Sequence, residues 1–205
     1  TAEFLRQWSS LHPEFSFLPR KFKIAVTGAA HDRAAILVHD IGLRIVRNDE
    51  GETGYQVVVG GGLGRSPFVG KVVGEFVPRH DLLAFLEAIM RVYNRFGRRD
   101  NKYKARIKIL VHEKGIDEIR AAVDDEFAAM DRSVFVHDPN EFERIAGFFA
   151  PPPYESLPRD SQTLRAAKLG TPAFANFVDV NVSAHKIPGY AIVTVSLKPI
   201  GGVPG

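Results

Sequence analysis

The residues best suited to chemistry in this 205-residue chain are cations gathered in two short runs. Arg20-Lys21-Phe22-Lys23 places three positive charges within four positions. Between Arg98 and Lys108, six basic residues (Arg98, Arg99, Lys102, Lys104, Arg106, Lys108) stand against a single acid, Asp100. Ammonium and guanidinium groups at this density suit an anion such as a phosphate or a polycarboxylate, because Coulomb attraction and charge-assisted hydrogen bonds add at one place. Lys21 and Lys23 stand two apart at the expected start of a strand, where side chains at i and i+2 share a face. Arg106 and Lys108 repeat that spacing in an expected strand over 105–112. Spacing alone leaves alternatives open. The lysine pair either holds an anion or protects a strand edge with charge, and the run at 98–108 is either a ligand site or a solvated basic loop.

Other candidates are weaker. Gly60-Gly61-Gly62-Leu63-Gly64 follows an expected strand, but its spacing is neither the dinucleotide fingerprint nor a phosphate-binding P-loop. It reads as a tight turn, or as a place where backbone approaches a large flat ligand with no side chain in the way. The seven histidines never fall at i, i+3 or i, i+4 on an expected helix, so no metal site is read from them. There is no cysteine, which excludes disulfides and any thiolate or iron–sulfur ligand from this chain. A net charge of +3, with Tyr103 the one aromatic within the basic run, gives no nucleic-acid signature. No run of apolar residues is long enough to span a bilayer, and no export signal is visible, so a cytoplasmic protein is expected. Thr1 at the start and Gly201-Gly202-Val203-Pro204-Gly205 at the end read as cuts from a longer chain, with N-terminal processing the alternative at Thr1.

Several elements must position these residues. Phe4, Leu5 and Trp8 at helical spacing give a short helix or arm over 1–14. Strands are expected at 23–27, 34–39, 43–47 and 55–59, with turns at Asp40-Ile41-Gly42 and Asn48-Asp49-Glu50-Gly51. Leu82, Phe85, Leu86, Ile89, Val92, Tyr93 and Phe96 line one face of a helix over 81–96, stopped by Gly97. A strand over 105–112 and a helix over 116–130 complete a domain spanning 15–149. The expected class is α+β, a mainly antiparallel sheet with helices on one face. Ala150-Pro151-Pro152-Pro153 marks a boundary. Beyond it, helices are expected over 161–169 and 172–182, with Thr171 as N-cap and Pro172 at the first helical position, then a strand over 190–198.

The order and wording of these motifs resemble a known family. Leu18-Pro19-Arg20-Lys21-Phe22-Lys23, then Tyr55 to Gly64 ending in the glycine run, then Arg98 to Lys108 are similar to segments of the sirohaem-dependent sulfite/nitrite reductase haemoprotein (beta component), of which this chain looks like an internal fragment. The likeness covers roughly 15–130. Residues 171–198 resemble the start of that family's second ferredoxin-like half, so 150–205 is expected to be a linker and the truncated start of that half. The resemblance implies a six-electron reduction of sulfite to sulfide, or of nitrite to ammonia, at a sirohaem coupled to a [4Fe–4S] cluster. It implies that Lys21 and Lys23 bind the anion over the iron as the catalytic residues. It places Arg20, Gly61, Gly62, Gly64, Asn101, Lys102, Arg106 and Lys108 around the macrocycle and its carboxylates. It also implies an electron donor, ferredoxin or a flavoprotein subunit. Lys23, where the nitrite-reducing branch typically carries Asn, points to sulfite. The cluster cysteines and the remaining anion ligands are expected outside this chain, so the fragment itself is expected to be inactive and to carry no sirohaem. The alternatives are a ferredoxin-type nitrite reductase and a non-catalytic tetrapyrrole- or anion-binding module.

Overall fold

The computed structural model describes residues 1–136, 139–198 and 201–202 and divides into two compact units, Thr1–Phe148 and Phe149–Gly205. Helix α1 (Ala2–Ser10) opens the first unit. Strands β1 (Ile24–Thr27), β2 (Ile41–Arg47), β3 (Thr53–Val59) and β4 (Lys71–Pro78) then form one sheet in that order. The β2–β3 and β3–β4 pairs are antiparallel and β1–β2 is parallel. Helices α2 (Leu82–Phe96), α3 (Ile107–Lys114), α4 (Ile116–Ala129) and α5 (Pro139–Gly147) follow. The α+β class with a mainly antiparallel sheet is as expected.

The core lies between the sheet and α2. Leu43, Val57, Val59, Val73 and Val77 from the strands pack with Leu82, Phe85, Leu86, Ile89 and Tyr93 from α2 and with Ile119 and Val123 from α4. Residues 82–90 of α2 are all buried. Each large side chain removed from water contributes about 1.5–3 kcal/mol, which is what holds the helix on the sheet. The other face is polar at Gln56, whose amide donates to Glu75 at 2.9 Å. Leu5 of α1 joins the core, with Phe4 and Trp8 packed against it. Among the described residues no helix is long and apolar enough to cross a membrane.

Four expectations about this unit need correction. Residues 105–112 do not form a strand: α3 spans Ile107–Lys114, and Ile107, Leu110 and Val111 are buried at helical spacing. A short apolar segment rich in β-branched residues is ambiguous by periodicity, and packing decides it. Residues 34–39 also form no strand. Ile36–Val38 is a 3₁₀ turn, entered through Ala35 at φ 52° and capped by Asp32, whose carboxylate accepts from the Ala34 and Ile36 amides at 3.0 and 2.9 Å. This turn lets β1 run parallel to β2, where a hairpin could not. The sheet is completed by β4, which was not foreseen; Gly74 and a bulge opposite Tyr55–Val57 interrupt its alternation. Finally, β1 begins at Ile24, so Lys21 and Lys23 precede it and share no strand face.

In the second unit, α6 (Gln162–Gly170) is capped by Ser161, whose hydroxyl accepts from the Leu164 amide at 3.1 Å. Helix α7 (Pro172–Asn181) starts on Pro172; Thr171 takes the N-cap position without a side-chain hydrogen bond. Strands β5 (Val182–Ala184) and β6 (Ala191–Val193) form a hairpin. The strand expected over 190–198 is thus cut to three residues.

Candidate anion-binding site

The two basic runs, some eighty positions apart, are joined by polar groups that sequence reasoning did not single out. Asp40 lies between the 3₁₀ turn and β2 and is entirely buried. Its Oδ1 accepts from Arg106 Nε at 2.9 Å and Nη2 at 2.7 Å, and its Oδ2 accepts from Arg106 Nη2 at 2.6 Å and from the Lys23 backbone amide at 3.0 Å. The Asp40 carbonyl accepts from the Gly60 amide at 2.9 Å. One residue therefore ties together the chain entering β1, the end of β3 and the start of α3.

Tyr93 makes a second joint. Its hydroxyl donates to the Ala105 carbonyl at 2.7 Å and lies 3.1 Å from the Arg20 carbonyl. Burial, with the Asp40 charge adding, pushes its phenol up to about 12. Arg99 makes a third, donating to the Phe17 carbonyl at 2.8 Å and to the Asn94 side chain at 2.5 Å.

Lys108 is buried as well. Its Nζ donates to the carbonyls of Leu63 and Ser66 at 3.0 and 2.5 Å, which fastens the glycine turn to α3. Desolvation, with Arg106 nearby, lowers its pKa below the usual lysine value, and Asp40 opposes that shift. The glycines are required by the chain itself. A Cβ on Gly61 would meet the His39 carbonyl oxygen at 2.6 Å, and one on Gly62 would meet Lys108 Cδ at 2.7 Å. Gly64, at φ +99°, has open space around it. Asn101 turns its own loop, its side chain accepting from the Tyr103 amide at 3.0 Å.

The sequence candidates therefore divide. Arg106 has its Nε and Nη2 donors, and Lys108 its ammonium, engaged inside the protein, and the Cβ sides of Gly61 and Gly62 are occupied by the chain. Arg98 pairs with Asp100 and Glu113 at 2.6 and 3.7 Å. Arg20, Lys21, Lys23, Lys102 and Lys104 are exposed and form no ion pair among the described residues; Lys102 Nζ lies 5.3 Å from the Tyr103 ring centre. The residues missed were Asp40 and Tyr93. A lone acid after a histidine and a tyrosine on an apolar helix face carry no local signal, because their partners are 66 and 12 positions away. Among the described residues no group of His, Cys, Asp and Glu could hold a metal ion.

Residues 1–130 match the family described as "Nitrite and sulphite reductase 4Fe-4S domain". The chain is 39% identical to the sulfite reductase (ferredoxin) of Synechococcus elongatus over 127 residues, which is 58% of this chain and 20% of that protein. It is 38% identical to the sulfite reductase (NADPH) hemoprotein beta-component of Staphylococcus carnosus over 118 residues, 54% of this chain and 20% of that protein. The solved structure of the Mycobacterium tuberculosis NirA protein superposes at a TM-score of 0.54 with 29% identity, covering 62% of this chain and 23% of that one. The chain thus spans about a fifth of the length of these relatives. Every site residue from Arg20 to Lys108 lies within the matched part.

Proposed function

Since the chain belongs to the nitrite and sulphite reductase 4Fe-4S domain family, we propose that it is part of an assimilatory sulfite reductase haemoprotein and supplies one wall of that enzyme's anion site. The observation that carries this reading is the exposed Arg20-Lys21-Phe22-Lys23 run, held by buried polar joints yet without an internal counter-charge among the described residues. A fixed cluster of unpaired cations is repulsive until an anion arrives, and a preorganised one stabilises negative charge without reorganising.

In this reading Lys21 and Lys23 hold the substrate oxyanion and can pass protons to it. Arg20, Lys102 and Lys104, with the open turn at Gly64, face the carboxylates of a tetrapyrrole. The cation-rich surface fits such a group, and sirohaem, when bound, supplies the iron at which the anion is reduced. A [4Fe–4S] cluster receives no thiolate from this chain, which has no cysteine, so its ligands belong to other parts of the enzyme. Ferredoxin or a flavoprotein is the electron donor, and the enzyme is cytoplasmic. Sulfite is favoured over nitrite because a substantial share of it is the dianion near neutral pH, and a second lysine at position 23 adds attraction that a monoanion feels less.

The test is turnover of both anions by the whole enzyme, wild type and Lys23→Asn. Sulfite turnover is expected to exceed nitrite turnover in the wild type and to fall more than nitrite turnover in the variant. A wild type that reduces nitrite far better than sulfite at matched concentration overturns the choice of substrate.

A further inference from the structure

We infer that Asp40 is a built-in competitor anion: it withholds Arg106 from the ligand and restricts the anion site to its lysines. The inference rests on the anion-site reading of Lys21 and Lys23. Arg106 sits in the same basic cluster and, by charge alone, is an equal candidate for the ligand. Its side chain is 22% exposed and therefore within reach of solvent ions. Yet three of its donor contacts, at 2.6–2.9 Å, fall on a carboxylate that is 0% exposed. This guanidinium–carboxylate contact occupies the Nε–Nη2 edge, one of the two edges that could grip an oxyanion in a fork, and neutralises the guanidinium's charge.

The same carboxylate also accepts from the Lys23 amide. It thereby fixes the backbone under one lysine while cancelling the charge beside it. A cluster meant only to maximise positive charge would have no acid at its centre. An acid placed there, out of water, selects which cations meet the ligand. The two lysines, with compact ammonium groups and exchangeable protons, are left to do so; Arg106, which cannot give up a proton at neutral pH, is kept away. Asp40 is in this sense a specificity-determining residue that acts through Arg106 and the Lys23 backbone.

The experiment is a titration of the chain with inorganic sulfate, observed by ¹H–¹⁵N resonances of the Arg106 Nε–H and, at low temperature and pH, of the lysine ammonium groups. In the wild type the Lys21 and Lys23 signals are expected to move with sulfate and the Arg106 signal to stay. In Asp40→Asn, an isosteric change, the Arg106 signal is expected to move. Sulfate should also bind about tenfold tighter, the gain from roughly one charge-assisted hydrogen bond. The double variant Asp40→Asn/Arg106→Gln, a neutral amide pair of similar shape, is expected to return to wild-type affinity, and it guards against misfolding of the single variant. An Arg106 signal that follows sulfate in the wild type overturns the inference, as does one that stays still in a folded Asp40→Asn. Lysine signals that ignore sulfate in the wild type, with Arg106 responding in the variant, would instead sink the anion-site reading and leave the role of Asp40 standing.

Discussion

The two basic runs differ in what their charges do. At 20–23 all three cations are exposed and none is in an ion pair among the described residues. At 98–108, four of the six are engaged: Arg98 with Asp100, Arg99 with the Phe17 carbonyl, Arg106 with Asp40 and Lys108 with the Leu63 and Ser66 carbonyls. The denser run is therefore chiefly a scaffold, and the sparser one presents charge to solvent. Local charge density says where cations are, while their availability depends on which buried acceptors the fold brings to them. The contacts are also directional: Arg99 reaches the Phe17 carbonyl, and the carboxylate that anchors Arg106 anchors the Lys23 amide. One run holds the other in place.

The comparison breaks most readily at the ion pair. Arg106→Ala leaves a fully buried carboxylate without its counter-charge and is expected to lower stability by about 3 kcal/mol or more, read from urea unfolding. A loss below about 1 kcal/mol would mean that Arg106 is a ligand cation after all. Lys108→Met keeps the aliphatic stem against Gly62 but removes both hydrogen bonds to the glycine turn. Its expected cost is about 1–2 kcal/mol, with faster amide exchange at 63–68 than elsewhere.

Tyr93→Phe sharpens the comparison by removing a joint without changing charge at neutral pH, at an expected cost of about 1 kcal/mol. It also carries a pH signature. The Tyr93 phenol is raised to about 12 from an unfolded value of 10, so the folded state keeps its proton where the unfolded state has lost it. The associated stability is complete below about pH 10 and is lost as the pH rises toward 12. Unfolding measured against pH should show a steeper alkaline decline in the wild type than in Tyr93→Phe. The smallest effect on stability is expected at the other run. Lys21→Ala and Lys23→Ala should leave the melting temperature unchanged while abolishing salt-sensitive sulfate binding. A clear loss of stability in either would show that these lysines, too, are scaffold.

Much of the fold was legible in advance because it is written in long patterns. The apolar positions of α2 repeat over fifteen residues, and the turn at Asn48–Gly51 is closed by the chemistry expected of it, the Asn48 side chain accepting from the Glu52 amide at 2.8 Å. The failures are short. Residues 105–112 have too few turns for period to tell strand from helix, and β4 is broken by Gly74 and a bulge. The second unit shows the same limit in another way. Among the described residues Val178 is its one buried apolar side chain, so little packing backs the alternation that pointed to a strand over 190–198.

What the sequence alone determined is the inventory: two cation-rich runs, a glycine turn, no thiolate, an α+β pattern and motif wording close to one family. These depend on residue type and near neighbours, which the linear order states directly. Which cations remain available to a ligand was decided only by tertiary structure. That outcome depends on Asp40 and Tyr93 reaching partners far along the chain, and on burial making those contacts too costly to leave unmade.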